Sequence, residues 1–500
     1  MLSDALSTEK KPDKIESFRF AKQHGILITD TAEDSATAVY RPDCAPSAII
    51  ELRRCLGRPL HLSEVSEQQF ITLLTQKYGT TAHGVLTDTG FSEGKINLQE
   101  YVEALPRAED ILETESDSPI IRLINALFQE AIRKSASDIH FEPYADKLAV
   151  RIRVDGFLQN ILEVPHHFAA PVISRIKIIA SLDISEKRLP QDGRIEIVTA
   201  GRSVDIRIST MPVQHGERVV LRILDKESVH LNLADLGMDS LQLASVRRMI
   251  AKPHGIVLVT GPTGSGKTTT LYAMLRELNL PGRNIMTVED PVEFELPGIA
   301  QIHVNTKVGM TFPKSLRGIL RQDPNIIMIG EIRDLETAVI AIQAGLTGHL
   351  LLSTLHTNTA VDTIVRLRDI GLQSFLLSSS LIGIIAERLV RLLCTECRAP
   401  RHATVDERIS LGMSPEEQTV IYDPKGCAAC NQTGYRHRIG IYEIIETDDV
   451  LREMIHHNAS PQELETYART LSPGIWQDAS RRVLSGETSL SEVMRTIGDG

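Results

Sequence analysis

Short apolar runs, separated by helical patterns, dominate the second half of the chain. Ile256 to Thr260, Asn284 to Val288 and Asn325 to Ile329 are almost continuously apolar. Strands covered by helices on both faces have this composition, whereas half-exposed strands alternate. The pattern predicts a parallel α/β sheet within residues 231–390. A further uncharged stretch, Ser374 to Ala386, predicts a buried helix.

A different periodicity precedes this region and predicts helix plus antiparallel sheet. A helix should begin at Ser118-Pro119, with serine as its cap, and its apolar positions share one face: Ile120, Leu123, Ile124, Leu127, Phe128 and Ala131. Residues 148–154 alternate strictly, and Asp155-Gly156 predicts a hairpin turn after them. Ser203 to Thr210 and Arg218 to Leu224 predict two more strands, so residues 119–230 should form an α+β middle domain.

The remaining segments complete a division into domains. Residues 1–105 predict a small domain with helices near 45–56 and 67–78, and they carry no catalytic constellation. Residues 106–118 are crowded with acidic side chains, which predicts an extended linker. Residues 391–440 hold four cysteines, and residues 441–500 predict a helical C-terminal region.

Composition reduces the number of function classes that fit the chain. The 500 residues contain 42% hydrophobic residues, one Trp and 4% aromatics, with a net charge of −11. Nucleic-acid-binding proteins usually have a basic surface and aromatic side chains that stack on bases. The acidic, aromatic-poor composition of this chain therefore argues against nucleic-acid binding. The sequence has no apolar run of the roughly 18 residues that a membrane-spanning helix needs, and its first residues do not form a secretory signal. We expect a cytoplasmic protein.

One stretch identifies the chemistry. A glycine-rich loop follows the run at Ile256 to Thr260 and opens an amphipathic helix, the context that a phosphate-binding P-loop requires. Its backbone N–H groups and the helix N-terminus would hold phosphate. Lys267 would reach the β- and γ-phosphates and the Thr268 hydroxyl would ligate Mg²⁺. The predicted ATP-binding residues are Gly261, Pro262, Thr263, Gly264, Ser265, Gly266, Lys267, Thr268 and Thr269.

Polar residues at the ends of the other predicted strands are candidates for catalysis. Glu289, Asp290 and Glu293 follow the second apolar run, and Glu331 follows the third, with Gly330 where an ordinary Walker B motif has Asp. Either Glu331 or Glu289 could be the general base that orients the attacking water. His349 and His356 lie around the next apolar run. Ser353, Thr354, His356 and Asn358 should cluster at the end that faces the nucleotide, where His356 is a candidate sensor of the γ-phosphate.

Arginines form a second group of candidates. The middle domain carries Arg194, Arg202, Arg207, Arg218 and Arg222, which either face solvent or together face phosphate. Arg317 and Arg321 lie four residues apart on a predicted helix that ends at Gln322-Asp323-Pro324. They could be arginine fingers for a neighbouring subunit or partners in ordinary salt bridges.

The cysteines predict a structural metal site. Cys394 and Cys397 form one CxxC pair and Cys427 and Cys430 another, while Cys44 and Cys55 stand apart. Two such pairs supply the four thiolates of a tetrahedral Zn²⁺ site with no open position for catalysis. In a reducing compartment this arrangement favours metal over disulfides.

These motifs together resemble the type II secretion (general secretory pathway) ATPases, the GspE family. The resemblance covers nearly the whole chain. It rests on Ser135 to Pro143, Val150 to Gly156, Arg188 to Arg194, the acidic segment Glu289 to Glu293, the segment Ile329 to Asp334, the histidine segment Thr347 to Asn358 and the tetracysteine segment. The front end, Phe18 to Ile28, favours the secretion type over the related type IV pilus motors. In Ala386-Glu387-Arg388-Leu the family commonly has Gln instead of Glu387, with no expected consequence for catalysis.

The resemblance implies a RecA-like ATPase domain in a homohexameric motor. The middle domain would close over ATP, with Arg207 and Arg222 reaching the γ-phosphate. Residues 1–105 would bind the cytoplasmic domain of an inner-membrane platform protein, which would hold the chain peripherally at that membrane. The alternatives are a type IV pilus extension ATPase, a hexameric nucleic-acid motor and a small-molecule kinase of the P-loop class.

Overall fold

The computed structural model describes residues 21, 24–31, 35–67, 69–70, 73, 119–199, 202–225 and 232–498. The predicted linker at 106–118, the Ser118 cap and much of residues 1–105 lie outside these ranges, as does the side chain of Arg202. The chain divides into two compact units, Met1–Ser228 and Val229–Gly500.

The first unit begins with a three-stranded sheet and one helix. Its elements are β1 (Ile26–Thr31), β2 (Ala36–Tyr40), α1 (Pro46–Leu56) and β3 (Leu60–Glu64). The sheet order is β1-β2-β3, with β2 and β3 parallel. Leu52 and Ala48 of α1 pack on Ile26, Ile28 and Ala38, which gives these residues a small core of their own.

The middle region forms a six-stranded antiparallel sheet with two helices. Its elements are α2 (Pro119–Arg133), β4 (Asp138–Pro143), β5 (Lys147–Val154), β6 (Phe157–Pro165), α3 (Ala169–Ile179), β7 (Gln191–Thr199), β8 (Arg202–Val213) and β9 (Gly216–Asp225). The strand order is β6-β5-β4-β9-β8-β7. The predicted hairpin at Asp155-Gly156 is confirmed, since Val154 pairs with Phe157.

The predicted apolar face of α2 supplies one side of the core of this sheet. All six positions of that face are buried against the apolar side of the strands, including Leu148, Val150 and Ile206. A fully buried Leu or Ile contributes about 1.5–3 kcal/mol, so this pattern is enough to fix which face of the helix turns inward.

The second unit is built around a seven-stranded sheet. Its strands are β10 (Gly255–Thr260), β11 (Ile285–Glu289), β12 (Ala300–His303), β13 (Ile326–Ile329), β14 (Leu350–Leu355), β15 (Leu381–Leu393) and β18 (Tyr435–Glu446). The order is β12-β11-β13-β14-β10-β15-β18. All neighbours are parallel except the last pair, β15 and β18. The three apolar runs are therefore neighbouring or near-neighbouring parallel strands, as predicted.

Helices cover both faces of this sheet. They are α4 (Ser240–Ile250), α5 (Lys267–Leu278), α6 (Phe312–Ile319), α7 (Leu335–Leu346), α8 (Ala360–Asp369) and α9 (Ser374–Ser380). Separate apolar cores lie on the two faces, one including Met249 and Leu271, the other including Ala341 and Ile364.

The β15–β18 hairpin carries the tetracysteine segment as an insertion. The segment contains β16 (Ala399–His402), α10 (Val405–Ser410) and β17 (Val420–Asp423), and four helices follow β18: α11 (Asp449–His456), α12 (Pro461–Leu471), α13 (Ile475–Leu484) and α14 (Leu490–Ile497). Ile421 and Ala403 of the insertion pack with Ala479 and Val483 of α13. None of the described helices is long and apolar enough to cross a membrane.

Two local predictions are wrong. The stretch Ser374 to Ala386 is helical only as far as Ser380, because its β-branched second half joins the sheet beside β10. Helix α6 ends at Ile319, so Arg321 does not share a helical face with Arg317. Arg317 forms a salt bridge with Glu336 at 2.7 Å, and Arg321 Nη1 donates to the Arg317 carbonyl at 2.7 Å.

Candidate nucleotide site and metal centre

The glycine loop connects β10 to α5 at the carboxyl edge of the sheet, where open α/β folds bind ligands. Gly261 and Gly266 have φ angles of +149° and +106°. A Cβ at Gly261 would overlap the backbone oxygen of Glu387, and one at Gly266 would overlap the Glu387 side chain. The tight approach of β15 therefore requires glycine at both positions, and it leaves the loop backbone bare toward a ligand.

Lys267 is folded into this loop. Its side chain is buried, and Nζ donates to the carbonyl oxygens of Gly261 at 2.7 Å and Pro262 at 2.8 Å. Burial lowers the pKa of Lys267 to about 8, although the charges of Glu387 and Glu331 act in the opposite direction. A buried ammonium group held by neutral carbonyls is stabilised when an anion approaches it.

Other atoms of the loop fit a phosphate as well. Ser265 Oγ is buried and has no hydrogen-bond partner among the described residues. Gly264, at φ +81°, has open space where a Cβ would stand. Thr268 is exposed on the first turn of α5, Thr269 is half-buried beside it, and Pro262 and Thr263 are exposed. The loop thus presents donors and room on the side away from the sheet.

Glu331 lies just beyond β13, two strands from the loop. Its Oε1 is 2.5 Å from Arg333 Nη2 and its Oε2 is 3.4 Å from His356 Nε2. The Glu331 side chain is 13% exposed, while His356 is 49% exposed. The negative charge of Glu331 also acts on Lys267. This places a carboxylate, a histidine and the loop lysine at one edge of the sheet.

Glu289, the other candidate base, is bound on several sides. It is buried at the end of β11 and accepts hydrogen bonds from Tyr272 Oη, from Thr287 Oγ1 at 2.6 Å and from Gln301 Nε2 at 3.1 Å. Burial, followed by the charge of Glu289, raises the pKa of Tyr272. A carboxylate with these donors already in place acts as a structural link between α5 and the sheet. Sequence reasoning missed Tyr272 and Gln301, which carry no motif signal.

The two histidines lie at opposite ends of β14. His349 precedes the strand, and its Nδ1 lies 3.0 Å from the Ala344 carbonyl oxygen, far from the ligand edge. At the other end, Thr354 Oγ1 donates to Gly330 O at 2.6 Å, and Ser353 Oγ donates to Ile329 O at 2.9 Å. These hydroxyls tie β14 to the backbone that precedes Glu331. Asn358 Oδ1 accepts from Arg388 Nη2 at 2.9 Å.

The arginines of the first unit form a row across neighbouring strands. Arg207 of β8 stands opposite Arg194 of β7 and Arg222 of β9, and Arg222 stands opposite Asp138 of β4. Like charges on neighbouring strands destabilise a sheet. Asp138 Oδ1 lies 3.4 Å from Arg222 Nε, and Asp205 Oδ1 lies 2.7 Å from Arg194 Nε.

This positively charged row lies on the face opposite the apolar core. Val204, Ile206 and Ile208 are buried, whereas Arg222 is 60% exposed at its side chain. Arg218 also has an acidic partner, because its Nη2 lies 2.8 Å from Glu142 Oε1. A concentration of guanidinium groups on one face is typical of surfaces that bind phosphate.

The four predicted metal ligands come together at the tip of the β15–β18 hairpin. The Sγ atoms of Cys394, Cys397, Cys427 and Cys430 all lie within 4.8 Å of one another. The closest separations are 3.9, 3.8 and 3.7 Å. Four thiolates around one Zn²⁺ would be about 3.8 Å apart, whereas a disulfide needs about 2.05 Å. Cys430 Sγ also accepts the N–H groups of Cys427 and Gly434 at 3.2 Å, which favours a thiolate.

Comparisons with known proteins agree with this geometry. Residues 113–495 match the family described as type II/IV secretion system protein, and residues 17–78 match the family of an N-terminal domain of GSPII protein E. The chain is 49% identical to type II secretion system ATPase E of Vibrio cholerae, over 96% of this chain and 95% of that protein. It is 50% identical to type II secretion system protein E of Pseudomonas aeruginosa over the same shares.

Solved structures share the fold. The pilus retraction motor PilT with bound ADP is 26% identical, with a TM-score of 0.51, covering 74% of this chain and 95% of that chain. The Legionella pneumophila ATPase DotB is 22% identical, with a TM-score of 0.56, covering 74% of this chain and 94% of that chain. The second likeness is one of fold alone.

Proposed function

This chain belongs to the type II/IV secretion system protein family, and from that premise we propose how its site works. It is an ATP hydrolase of a type II secretion system. ATP hydrolysis powers assembly of the pseudopilus and export of proteins across the outer membrane. The observation that carries the proposal is Lys267, buried in a glycine loop within the influence of the Glu331 charge. The match of residues 17–78 to the N-terminal domain of GSPII protein E favours secretion over a pilus motor or a nucleic-acid motor.

Glu331 acts as the general base in this proposal. Phosphoryl transfer depends on positioning and charge, and the base must hold water in line with the γ-phosphate. Glu331 is anchored on one oxygen by Arg333 and lies near His356 on the other. His356, half-exposed at this edge, contacts the γ-phosphate and transmits its presence to Glu331. Glu289, held by Tyr272, Thr287 and Gln301, keeps α5 in place.

The loop receives the phosphates of ATP. Backbone N–H groups within residues 261–269 donate to them, except at Pro262, which has no N–H. Lys267 exchanges its two carbonyl partners for the β- and γ-phosphates. The exposed Thr268 hydroxyl would hold Mg²⁺. When bound with ATP, Mg²⁺ neutralises phosphate charge and orients the group that is transferred.

Arg207 and Arg222 complete the charge stabilisation. The repulsion within their row is relieved when an anion lies across it, and the γ-phosphate is that anion. The middle domain closes over ATP and brings these two arginines to the γ-phosphate, so that ATP binding drives a movement of the domain. Zn²⁺ at the four cysteines holds the tip of the β15–β18 hairpin and has no catalytic part.

The motor is a homohexamer that works at the inner membrane through a partner. Residues 1–105 bind the cytoplasmic domain of a platform protein in that membrane, and the acidic segment 106–118 links them to the motor. The support is the separate core of the small N-terminal sheet and the family match over residues 17–78. The protein is thus cytoplasmic and peripheral to the membrane.

Two substitutions test the activity. Lys267→Ala should abolish nucleotide binding, and Glu331→Gln should retain ATP binding while kcat falls at least ~10²-fold, because charge and positioning supply most of the rate. Turnover and equilibrium binding are measured on the same preparations. Lys252→Ala, which changes an exposed lysine, serves as the control. Normal hydrolysis by Glu331→Gln would assign the base to Glu289, and normal hydrolysis by Lys267→Ala would remove the ATPase proposal.

A further inference from the structure

Glu387 is a buried acid directly beneath the nucleotide loop. It lies on β15 one residue beyond Ala386, which pairs with Thr260 at the end of β10. The side chain is 2% exposed. Its Oε2 accepts a hydrogen bond from Thr270 Oγ1 at 2.8 Å, on the first turns of α5. The strand on which the loop rests therefore holds the helix that the loop opens.

The same residue supports both ends of the loop. Its backbone oxygen lies against Gly261 and its Oε1 lies against Gly266, each so close that a Cβ at the glycine would overlap it. Through Thr270 it also fixes the helix turn that follows Lys267. One residue thus touches the first glycine of the loop, the last glycine and the helix beyond them.

The charges around Glu387 do not balance a carboxylate. Lys267 is the cation on α5 that faces it, but Lys267 Nζ donates to Gly261 and Pro262 instead. On the neighbouring strand β18, Tyr442 stands opposite Glu387 in the sheet. The charges of Arg482 and Asp478 of α13 act on Tyr442. Arg388 follows it on β15, and β10 has no titratable side chain. Within the described residues Glu387 forms no ion pair, and burial raises the pKa of its carboxyl to about 8.

We propose that Glu387 is a positioning residue of the nucleotide loop. In its neutral form it holds Gly261, Gly266 and Thr270 in the shape that receives phosphate, and its ionisation lowers nucleotide affinity. This inference rests on the proposed nucleotide binding. It predicts that the affinity for nucleotide falls as the pH rises, because Glu387 ionises.

The physical reason is repulsion between like charges. An ionised Glu387 places a negative charge behind the loop whose front binds the diphosphate of ADP or the triphosphate of ATP. It also competes with phosphate for Lys267, whose charge interacts with that of Glu387. The neutral acid has neither effect and keeps its bond from Thr270. Glutamine has the same length, accepts the same hydrogen bond and cannot ionise, so it reproduces the neutral state at every pH.

ADP binding to the full chain at pH 7 and pH 9 tests the proposal. If only the neutral form binds well, about one tenth of the wild type is competent at pH 9, and its dissociation constant rises about tenfold. Deprotonation of Lys267 over the same pH range also lowers the affinity for ADP, in wild type and in every variant. The expected result is that wild type loses about tenfold more affinity between the two pH values than Glu387→Gln, while both bind ADP equally at pH 7.

Two further variants complete the experiment. Glu443→Gln changes another buried acid, on β18, whose pKa burial also raises but which Arg469 holds. It should keep the wild-type loss of affinity. Glu387→Ala, which cannot bond Thr270, should bind ADP more weakly already at pH 7. Equal pH profiles for wild type and Glu387→Gln, or full affinity in Glu387→Ala at pH 7, would overturn the proposal. Absence of ADP binding by wild type would instead contradict the proposed function.

Discussion

The arginine row shows how single residues can carry a functional signal that also costs stability. Arg194, Arg207 and Arg222 occupy directly opposed positions on three neighbouring strands. Such pairs are unfavourable by a few tenths of a kcal/mol or more in a sheet that has no ligand. Asp138 and Asp205 offset part of that charge. In the function proposed above, the γ-phosphate is the anion that this row binds.

The row makes a prediction about the γ-phosphate. Arg207→Ala or Arg222→Ala should lower kcat by at least ~10-fold and weaken ATP binding, because the γ-phosphate is their ligand, while ADP affinity stays near that of wild type. Affinities for ATP and ADP, with turnover, check this. Arg188→Ala changes an arginine that is 88% exposed and pairs with Glu186, and it should change neither. Equal loss of ADP and ATP affinity in both variants would identify a purely structural sheet face.

At the scale of elements, the tip of the β15–β18 hairpin carries the four cysteines that we propose hold Zn²⁺. The strands run antiparallel from Gly383 opposite Glu446 to Leu393 opposite Tyr435, and the cysteines follow directly at the tip. The insertion between the two cysteine pairs, which contains β16, α10 and β17, has few apolar residues of its own. It packs on α13 and α14. Without the metal, four thiols at mutual distances near 3.8 Å would have no common partner to hold the tip closed.

The zinc prediction follows from this arrangement. The purified protein should carry about one Zn²⁺ per chain, and Ser at Cys394, Cys397, Cys427 or Cys430 should remove it and lower the melting temperature, since metal binding supplies folding energy here. Metal analysis and thermal melting measure both. Cys44→Ser and Cys55→Ser, outside the cluster, are the matched controls. ADP binding should persist in all of them. A metal-free preparation with an unchanged melting curve would contradict the structural role.

The same elements show what sequence reasoning can reach. Periodicity found α2, the hairpin at Asp155-Gly156 and the three apolar strands, because local burial decides them. It failed for Leu381 to Ala386, since an uncharged segment with β-branched residues is equally compatible with a buried helix and a central strand until its neighbour β10 is known. It could not find Tyr272, Gln301 or the contacts of Glu387, because these partners are 12 to 117 residues away from the residues they bond.

At the scale of the whole molecule, the motor and the small N-terminal sheet have separate interiors. Ile26, Ile28, Ala38, Ala48 and Leu52 form one core, and the seven-stranded sheet has its own on both faces. The chain therefore contains a part that can bind something else without disturbing the nucleotide site. The candidate residues Lys267, Glu331 and His356 lie at the edge of the seven-stranded sheet, and the arginine row lies on the middle sheet.

That division bears on the membrane contact proposed above. In that proposal a partner protein holds the motor at the inner membrane. The separate core of the N-terminal sheet makes residues 1–105 the candidate contact. Removing residues 1–105 should leave ADP binding intact and abolish co-sedimentation with membranes that contain the platform protein. Full-length chain, and full-length Lys267→Ala, should both co-sediment, since the contact is independent of the nucleotide loop. If the truncated chain still co-sediments with those membranes, the tether lies in the motor itself.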